Sequence, residues 1–552
     1  MSENLPANAS DKKIKSKHLV RILITALILA WGFDLLFWKN PLGINLPIFV
    51  ISVLLGGLVM AFSEEVRPAR QSLLLILPIL FFSVMVASRL EPLTTFLNIA
   101  FTLFLLAVLA ASFVGGRWPW YGIPDYIVRL VLLSVDSFIS LPIAWINQPE
   151  EEKSIAVGGS NWKPLLALLR GIVLALPVLI FFNVLLSSAD PVFEQAVRKF
   201  LELFNLEDLA EYLFRGIYIV FVAYILAGVY LFAFYKSKVE KLVGEENNLV
   251  ITFLGFTEAS VVLGSVNAMF AVFVAIQFRY FFGGQANISN AGYTFAEYAR
   301  RGFGELVAVA LFSLILFLGL NAITKRRSGA QRSWFSGLSL VLVALVGVML
   351  ISAFQRLYLY EQAFGFTRLR TYSHVFMVWL GMLLLAVALL ELLRRSRLIV
   401  LVILLASLGY AVTLNILNVD GFIARQNILR ARQGQRLDIP YLASLSTDAV
   451  PALRDEFVVA LYGEEGQQAV GEEIGAAWAC HAALHQSYTY ERPWQGIHLS
   501  HIFARTDWMS YGYVIEGQGW DAQSDEENSW NQWSVEVGGE TITCVDEYYL
   551  FR

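Results

Sequence analysis

Uninterrupted apolar stretches recur along most of this chain. Each is about 20 residues long, which lets a helix cross roughly 30 Å of hydrocarbon. They fall near residues 19–37, 45–62, 72–88, 95–114, 164–187, 214–235, 250–279, 305–324, 335–355, 374–392 and 397–417. Inside a bilayer only helices and closed barrels satisfy their own backbone polar groups. Barrel strands alternate apolar and polar residues, and these stretches do not. The expected fold is an all-α polytopic membrane helix bundle of about eleven spans over residues 19–417. Composition agrees, with 16% of the 552 residues charged against about 25% in soluble domains. The polar, basic start MSENLPANASDKKIKSKH (residues 1–18) reads as a cytoplasmic tail. The first apolar run is too long for a signal-peptide core and lacks a small-residue cleavage site.

Lys and Arg in short loops set orientation. The loops assigned to the cytoplasm hold 20 of them and the outward loops 10. The amino terminus is therefore expected inside and the carboxyl terminus outside. Tyr126–Trp145 is also long enough to span. Its Arg129, Asp136, Ser137 and Ser140 recur near helical spacing as a narrow polar stripe, which suits a helix at the cytoplasmic interface. Residues 190–213 group Phe193, Val197, Phe200 and Phe204 on one face, as in an amphipathic helix on the outer surface.

Past residue 417 the composition turns acidic, with 20 acidic and 8 basic residues, a formal charge of −12. Residues 418–552 are expected to form a small extracytoplasmic α+β domain. Helical patterns run through 421–433, 447–462 and 467–485. A Trp-rich, strand-bearing end follows, with Trp494, Trp508, Trp520, Trp530 and Trp533, and SDEENS (Ser524–Ser529) as an exposed acidic loop. The two cysteines of the chain, Cys480 and Cys544, both lie here. A disulfide between them needs an oxidising compartment; the alternative is two buried thiols. His481 and His485 are four apart, with His498 and His501 close by. A zinc site needs a further ligand and supporting contacts, and no metal or cofactor is expected.

Two intramembrane polar residues stand out. Glu258 lies about nine residues into its span, and Asn267 nine further on, on the opposite face. Polar groups on opposite faces suggest a central helix, with Ser260, Gly264 and Ala268 as a row of small residues for close contact. The other reading is a proton or ion relay through Glu258.

Arg279, Arg300, Arg301, Arg356, Arg368 and Arg370 break the inside bias by crowding two outward loops. Around them, Glu297–Arg301 and Arg301–Glu305 are i,i+4 pairs, and Tyr293 and Tyr298 add interfacial rings. Arginine forks suit phosphate or carboxylate. Two readings stand: an outward site for an anionic group such as a lipid headgroup, or ion pairs with the acidic tail, Glu297, Glu305 and Glu361.

Six segments carry a resemblance: SADPVF (Ser188–Phe193), AIQFRYFFGG (Ala275–Gly284), YTFAEYARRGFGEL (Tyr293–Leu306), FGFTRLRTY (Phe364–Tyr372), NVDGFIARQNI (Asn418–Ile428) and YLASLSTDAVPAL (Tyr441–Leu453). Together, in this order, they resemble the bacterial membrane family of domain of unknown function 4173, a relative of 4153. The resemblance implies a multi-pass protein of the bacterial cytoplasmic membrane with an extracytoplasmic tail, and it implies no activity.

No Walker A loop, zincin HExxH or GxSxG nucleophile elbow occurs. The leading expectation is a non-enzymatic membrane protein displaying its tail for envelope sensing or assembly. Its expected partners are membrane lipids and an envelope protein met through the acidic tail, with no nucleic acid. The alternative is a transporter or membrane enzyme with an outward anion site built from Arg300, Arg301, Arg368 and Arg370.

Overall fold

A computed structural model describes residues 16–146, 206–238, 253–281, 303–462, 470–486, 493–518, 523–524, 533–537 and 540–544, with single positions between them. Among these, eleven helices are long and apolar enough to cross a membrane. They are α1 (Ser16–Phe37), α2 (Asn45–Ser63), α3 (Ile76–Ser88, led by the turn Arg70–Leu73), α4 (Pro92–Ser112), α5 (Ile123–Ile146), α6 (Leu206–Leu231), α7 (Phe256–Phe281), α8 (Phe303–Ile323), α9 (Gly329–Phe364), α10 (Arg368–Leu392) and α11 (Ile399–Leu417).

The spans form two packed groups. In α1–α6, Ile22, Ala26, Ile79, Phe82, Leu105 and Ala227 are among the buried contacts. In α7–α10, Leu263, Ala310, Leu342, Ala353 and Val387 play that part. Helix α11 touches both: Ala411 and Leu404 join the first core, and Ile399 the second. Two side-chain contacts fix it there. Asn415 exchanges amide hydrogen bonds with Asn98 of α4 (2.9 and 2.7 Å), and Thr413 accepts the Trp379 indole of α10 (3.0 Å). Buried amides with both partners satisfied hold helices in one register where lipid offers no competing donor.

Helix α5 differs from expectation. Its polar stripe does not face water: Arg129, Ser137 and Ser140 are buried, while Ile127, Val131, Val135 and Ile139 are exposed. An interfacial helix presents the reverse. This one packs its polar side inward and its apolar side outward, as a span does. It lies against α6 so closely that a Cβ at Gly228 would overlap the Ser137 backbone. Trp118, just before α5, donates to the Gln71 carbonyl (2.9 Å), and Ser237, just after α6, accepts the Val114 amide (2.9 Å). The start of α5 and the end of α6 therefore share one end of the bundle, and the two helices run antiparallel. The other candidate span, 164–187, lies outside the described residues except for Ala175 and Leu186, as does the proposed amphipathic helix except for Asp190, Phe193, Gln195 and 206–213. Those last positions belong to the first turns of α6.

The tail adds α12 (Val419–Arg432), α13 (Ile439–Ala443), α14 (Val450–Tyr462), α15 (Gly471–Gln486) and α16 (Leu499–Gln518). An antiparallel sheet follows, in the order β1 (Gln523–Ser524), β2 (Trp533–Val537), β3 (Glu540–Cys544). The Trp-rich end thus holds a 20-residue helix as well as strands, with Trp508 buried on α16 and β2 beginning at Trp533. Trp520 and Trp530 lie outside the described residues. Cys480 of α15 and Cys544 of β3 form a disulfide, with Cα atoms 5.3 Å apart, which ties the sheet to the helical core around Trp478 and Phe457.

Candidate functional site at the tail–bundle junction

The turn between α3 and α4 is where a junction begins. Glu91 precedes Pro92, and a proline in the first helical turn loses no needed amide hydrogen. The Glu91 carboxylate accepts the amides of Leu93 (2.9 Å) and Thr94 (2.8 Å), capping α4. It also accepts the Tyr372 hydroxyl from α10. One residue earlier the direction reverses: the amides of Leu90 (2.7 Å) and Glu91 (3.1 Å) donate to Oδ2 of Asp448, a tail residue. Arg89 brings Nη1 to 3.9 Å from the other Asp448 oxygen.

Asp448 sits in the turn Thr447–Ala449 that starts α14. Its carboxylate also receives the Ser446 hydroxyl (3.2 Å). Full burial pushes the Asp448 carboxyl pKa up, while the Leu90 amide and then the Arg89 charge pull it back. Beside it, Arg368 at the start of α10 forks onto Asp420, with Nε to Oδ1 and Nη2 to Oδ2 both at 2.8 Å. Asp420 takes a third bond from the Ser446 amide (2.7 Å), and the Arg368 amide donates to the Tyr441 hydroxyl (3.0 Å). Asn418, the single residue between α11 and α12, adopts a left-handed conformation (φ 51°) and donates to the Asp448 carbonyl (2.9 Å).

Two outer contacts extend the seam. His498 lies 2.6 Å from the Val86 carbonyl of α3. The Ile44 amide donates to the Ile497 carbonyl (2.9 Å). Gly43 lets these backbones approach: a Cβ there would stand 2.5 Å from the Ile497 oxygen. Deeper in the tail, the His481 ring reaches the carbonyls of Leu445 (3.0 Å) and Ser446 (3.3 Å), so its Nε2 carries the hydrogen. Burial holds its pKa well below the ordinary 6.5, keeping it neutral. His481 and His485 pack against Trp508, and no group of three metal-ligating side chains gathers among the described residues.

The sequence candidates are distributed as follows. Arg368 is engaged by Asp420. Arg370 lies 4.2 Å over the Tyr360 ring and donates to the Gly365 carbonyl. Glu361 pairs with His374 (3.0 Å). Glu297, Tyr298, Arg300 and Arg301 lie outside the described residues. Glu258 is not deep in a span, because α7 begins at Phe256. It is exposed in the first turn and accepts the Gly255 amide (2.8 Å). Asn267 donates to the Leu338 carbonyl of α9 (2.9 Å). Nor is α7 central: Val261, Met269, Val272 and Ile276 are exposed, and a Cβ at Gly264 would meet nothing. Among the described residues its polar groups bind it to α9, with Gln277 accepting Ser352 (2.9 Å) and Arg356 (3.1 Å). Asp420, Asp448 and Glu91 were not singled out from the sequence, although the first two lie in NVDGF and STDAV, segments that carried the resemblance.

A multi-pass helix bundle with a disulfide-closed domain seated on one end through buried ion pairs and backbone bonds defines the class: an integral membrane protein with a docked accessory domain. The chain belongs to the family described as domain of unknown function 4153, which matches residues 76–456. This corrects the resemblance to 4173 in favour of its relative. The match runs from α3 into α14 and so includes Glu91, Arg368, Asp420 and Asp448. No curated protein and no solved structure matches the chain.

Proposed function

We propose that this chain is a non-enzymatic protein of a bacterial cytoplasmic membrane that displays its acidic tail domain on the extracytoplasmic side, for envelope sensing or assembly. The observation that carries this reading is the occupancy of the junction carboxylates. Asp420 is taken by Arg368 and a backbone amide, Asp448 by two amides, and Glu91 by two amides and Tyr372. Groups so engaged serve as fasteners, whereas a general acid or base needs a free approach to substrate. Outside residues 115–163, which α5 interrupts, the loops assigned to the cytoplasm hold 16 Lys and Arg against 10 in the outward loops, which supports an inside amino terminus and an outside tail. The alternative of an outward anion site keeps Arg300 and Arg301 as candidates, but Arg368 is already neutralised.

Two measurements test this. A periplasmic-type reporter fused after Arg552 should be active and a cytoplasmic-type reporter silent; the opposite pattern defeats the orientation. A photo-crosslinker at exposed Met509 should capture an envelope protein in intact cells, and capture should fall when Arg368→Ala loosens the seat. Equal capture from both, or none, removes the case for a displayed tail.

A further inference from the structure

At the end of the bundle opposite the tail, α8, α9 and α10 open a cavity of about 820 Å³. Its wall carries Lys325, Arg326, Arg327, Arg332 and Arg394, with Glu391 as the one carboxylate among the lining residues. We propose that this cavity binds the headgroup of an anionic phospholipid, with the phosphate held by Arg327 and Arg332 and the acyl chains running down along α9 and α10.

The local chemistry separates two kinds of cation. Arg326 is structural. It is half-buried over the Phe335 ring at 4.7 Å, donates to the Asn321 carbonyl (2.8 Å) and side chain (2.6 Å), and approaches Glu391 at 3.9 Å. Glu391 is also engaged by the Ser336 hydroxyl (2.7 Å). The pKa of Arg326 is pulled down, first by burial and further by the charge of Arg332, with Glu391 acting against both. Positive charge is therefore in excess here. Lys325, Arg327, Arg332 and Arg394 are exposed, and among the described residues none makes a side-chain hydrogen bond or ion pair. A phosphate diester offers these cations the anion that the protein itself does not supply.

The floor argues for a lipid over a soluble anion. Leu340 and Leu392 line the same cavity. Leu340 lies eight positions beyond Arg332 on α9, about 12 Å deeper along the axis. Trp334, exposed on α9 between the cations and the floor, is the residue type that marks the headgroup level. A Cβ at Gly337 would meet nothing, so the route from the cationic rim to the apolar floor is open. Basic pockets between spans are known to select anionic headgroups over zwitterionic ones.

The test uses the full-length protein in neutral detergent, with thermal unfolding followed as lipid is added. Phosphatidylglycerol should raise Tm, whereas phosphatidylcholine with the same acyl chains and inorganic phosphate should not. Arg327→Gln with Arg332→Gln should require about thirtyfold more phosphatidylglycerol for the same shift, from about 1 kcal/mol per cation. Gly337→Leu keeps every charge and fills the route to the floor, and it should also weaken the response. Exposed Arg67 and Arg70, at the same end of the bundle but outside this cavity, serve as the control pair. The proposal is overturned if the Arg327/Arg332 variant keeps the native response, or if Arg67→Gln with Arg70→Gln loses as much. An equal rise with phosphate alone would identify a soluble-anion site instead, and an undiminished response in Gly337→Leu would remove the lipid chain from the account.

Discussion

Arg368 and Asp420 meet as two parallel hydrogen bonds of 2.8 Å, joining the first turn of α10 to the first turn of α12. The Asp420 side chain is fully buried and the Arg368 side chain is 21% exposed. Removing one member of such a pair strands the other charge, at a cost of about 3–5 kcal/mol. Arg368→Ala should lower Tm markedly and speed proteolysis of the tail. Arg368→Lys, which keeps the charge and loses the fork, should fall between. An unchanged Tm in Arg368→Ala would show that the pair does not seat the tail.

The close approach of α5 to α6 gives a second prediction. Gly228→Val forces side-chain atoms into the Ser137 backbone and should destabilise the bundle by about 1–3 kcal/mol. A valine at exposed Gly329, where a Cβ meets nothing, is the comparison. Equal thermal stability in the two variants would contradict the packing of α5 as a span.

His481 sets a dependence on acidity. Its folded pKa is depressed by burial, so the unfolded chain takes up the proton first as pH drops below about 6.5. The stabilising contribution is therefore present above that value and is lost as pH falls toward the folded pKa. The limiting slope is about 1.4 kcal/mol per pH unit. His481→Gln can still donate to the Leu445 carbonyl and should flatten the stability profile between pH 7 and about 5. A profile as steep as the native one would assign the proton uptake to another group.

The disulfide gives the fourth. Cys480 and Cys544 are separated by 64 positions, and losing a native bridge in a small domain costs about 2–5 kcal/mol. Cys544→Ser should release β3 from α15 and leave the membrane spans largely intact. Thiol labelling of denatured, unreduced native protein should be negative. Labelling at both cysteines is the contrary result.

The bundle was legible because a span must be apolar over its whole length, a signal that survives without knowing any neighbour. Which stretches cross was less so. The stripe of Arg129, Ser137 and Ser140 looks the same in sequence whether it faces water or α6; only packing distinguishes them. The cysteine pair was readable because no other partners exist. The junction was not, because its bonds join distant positions: 52 residues separate Arg368 from Asp420, and 358 separate Leu90 from Asp448. Spacing carries no trace of such pairs. Glu258 shows a simpler limit: the apolar run begins before the helix does, so in sequence a first-turn carboxylate has the same setting as a deep one.

Asn418 alone separates α11 from α12, and that has a consequence for reach. A domain on a flexible tether samples a volume that grows with tether length and can search for distant partners. This one has no tether. Its working radius is its own size, and whatever it engages must come to the surface of the bilayer to be met.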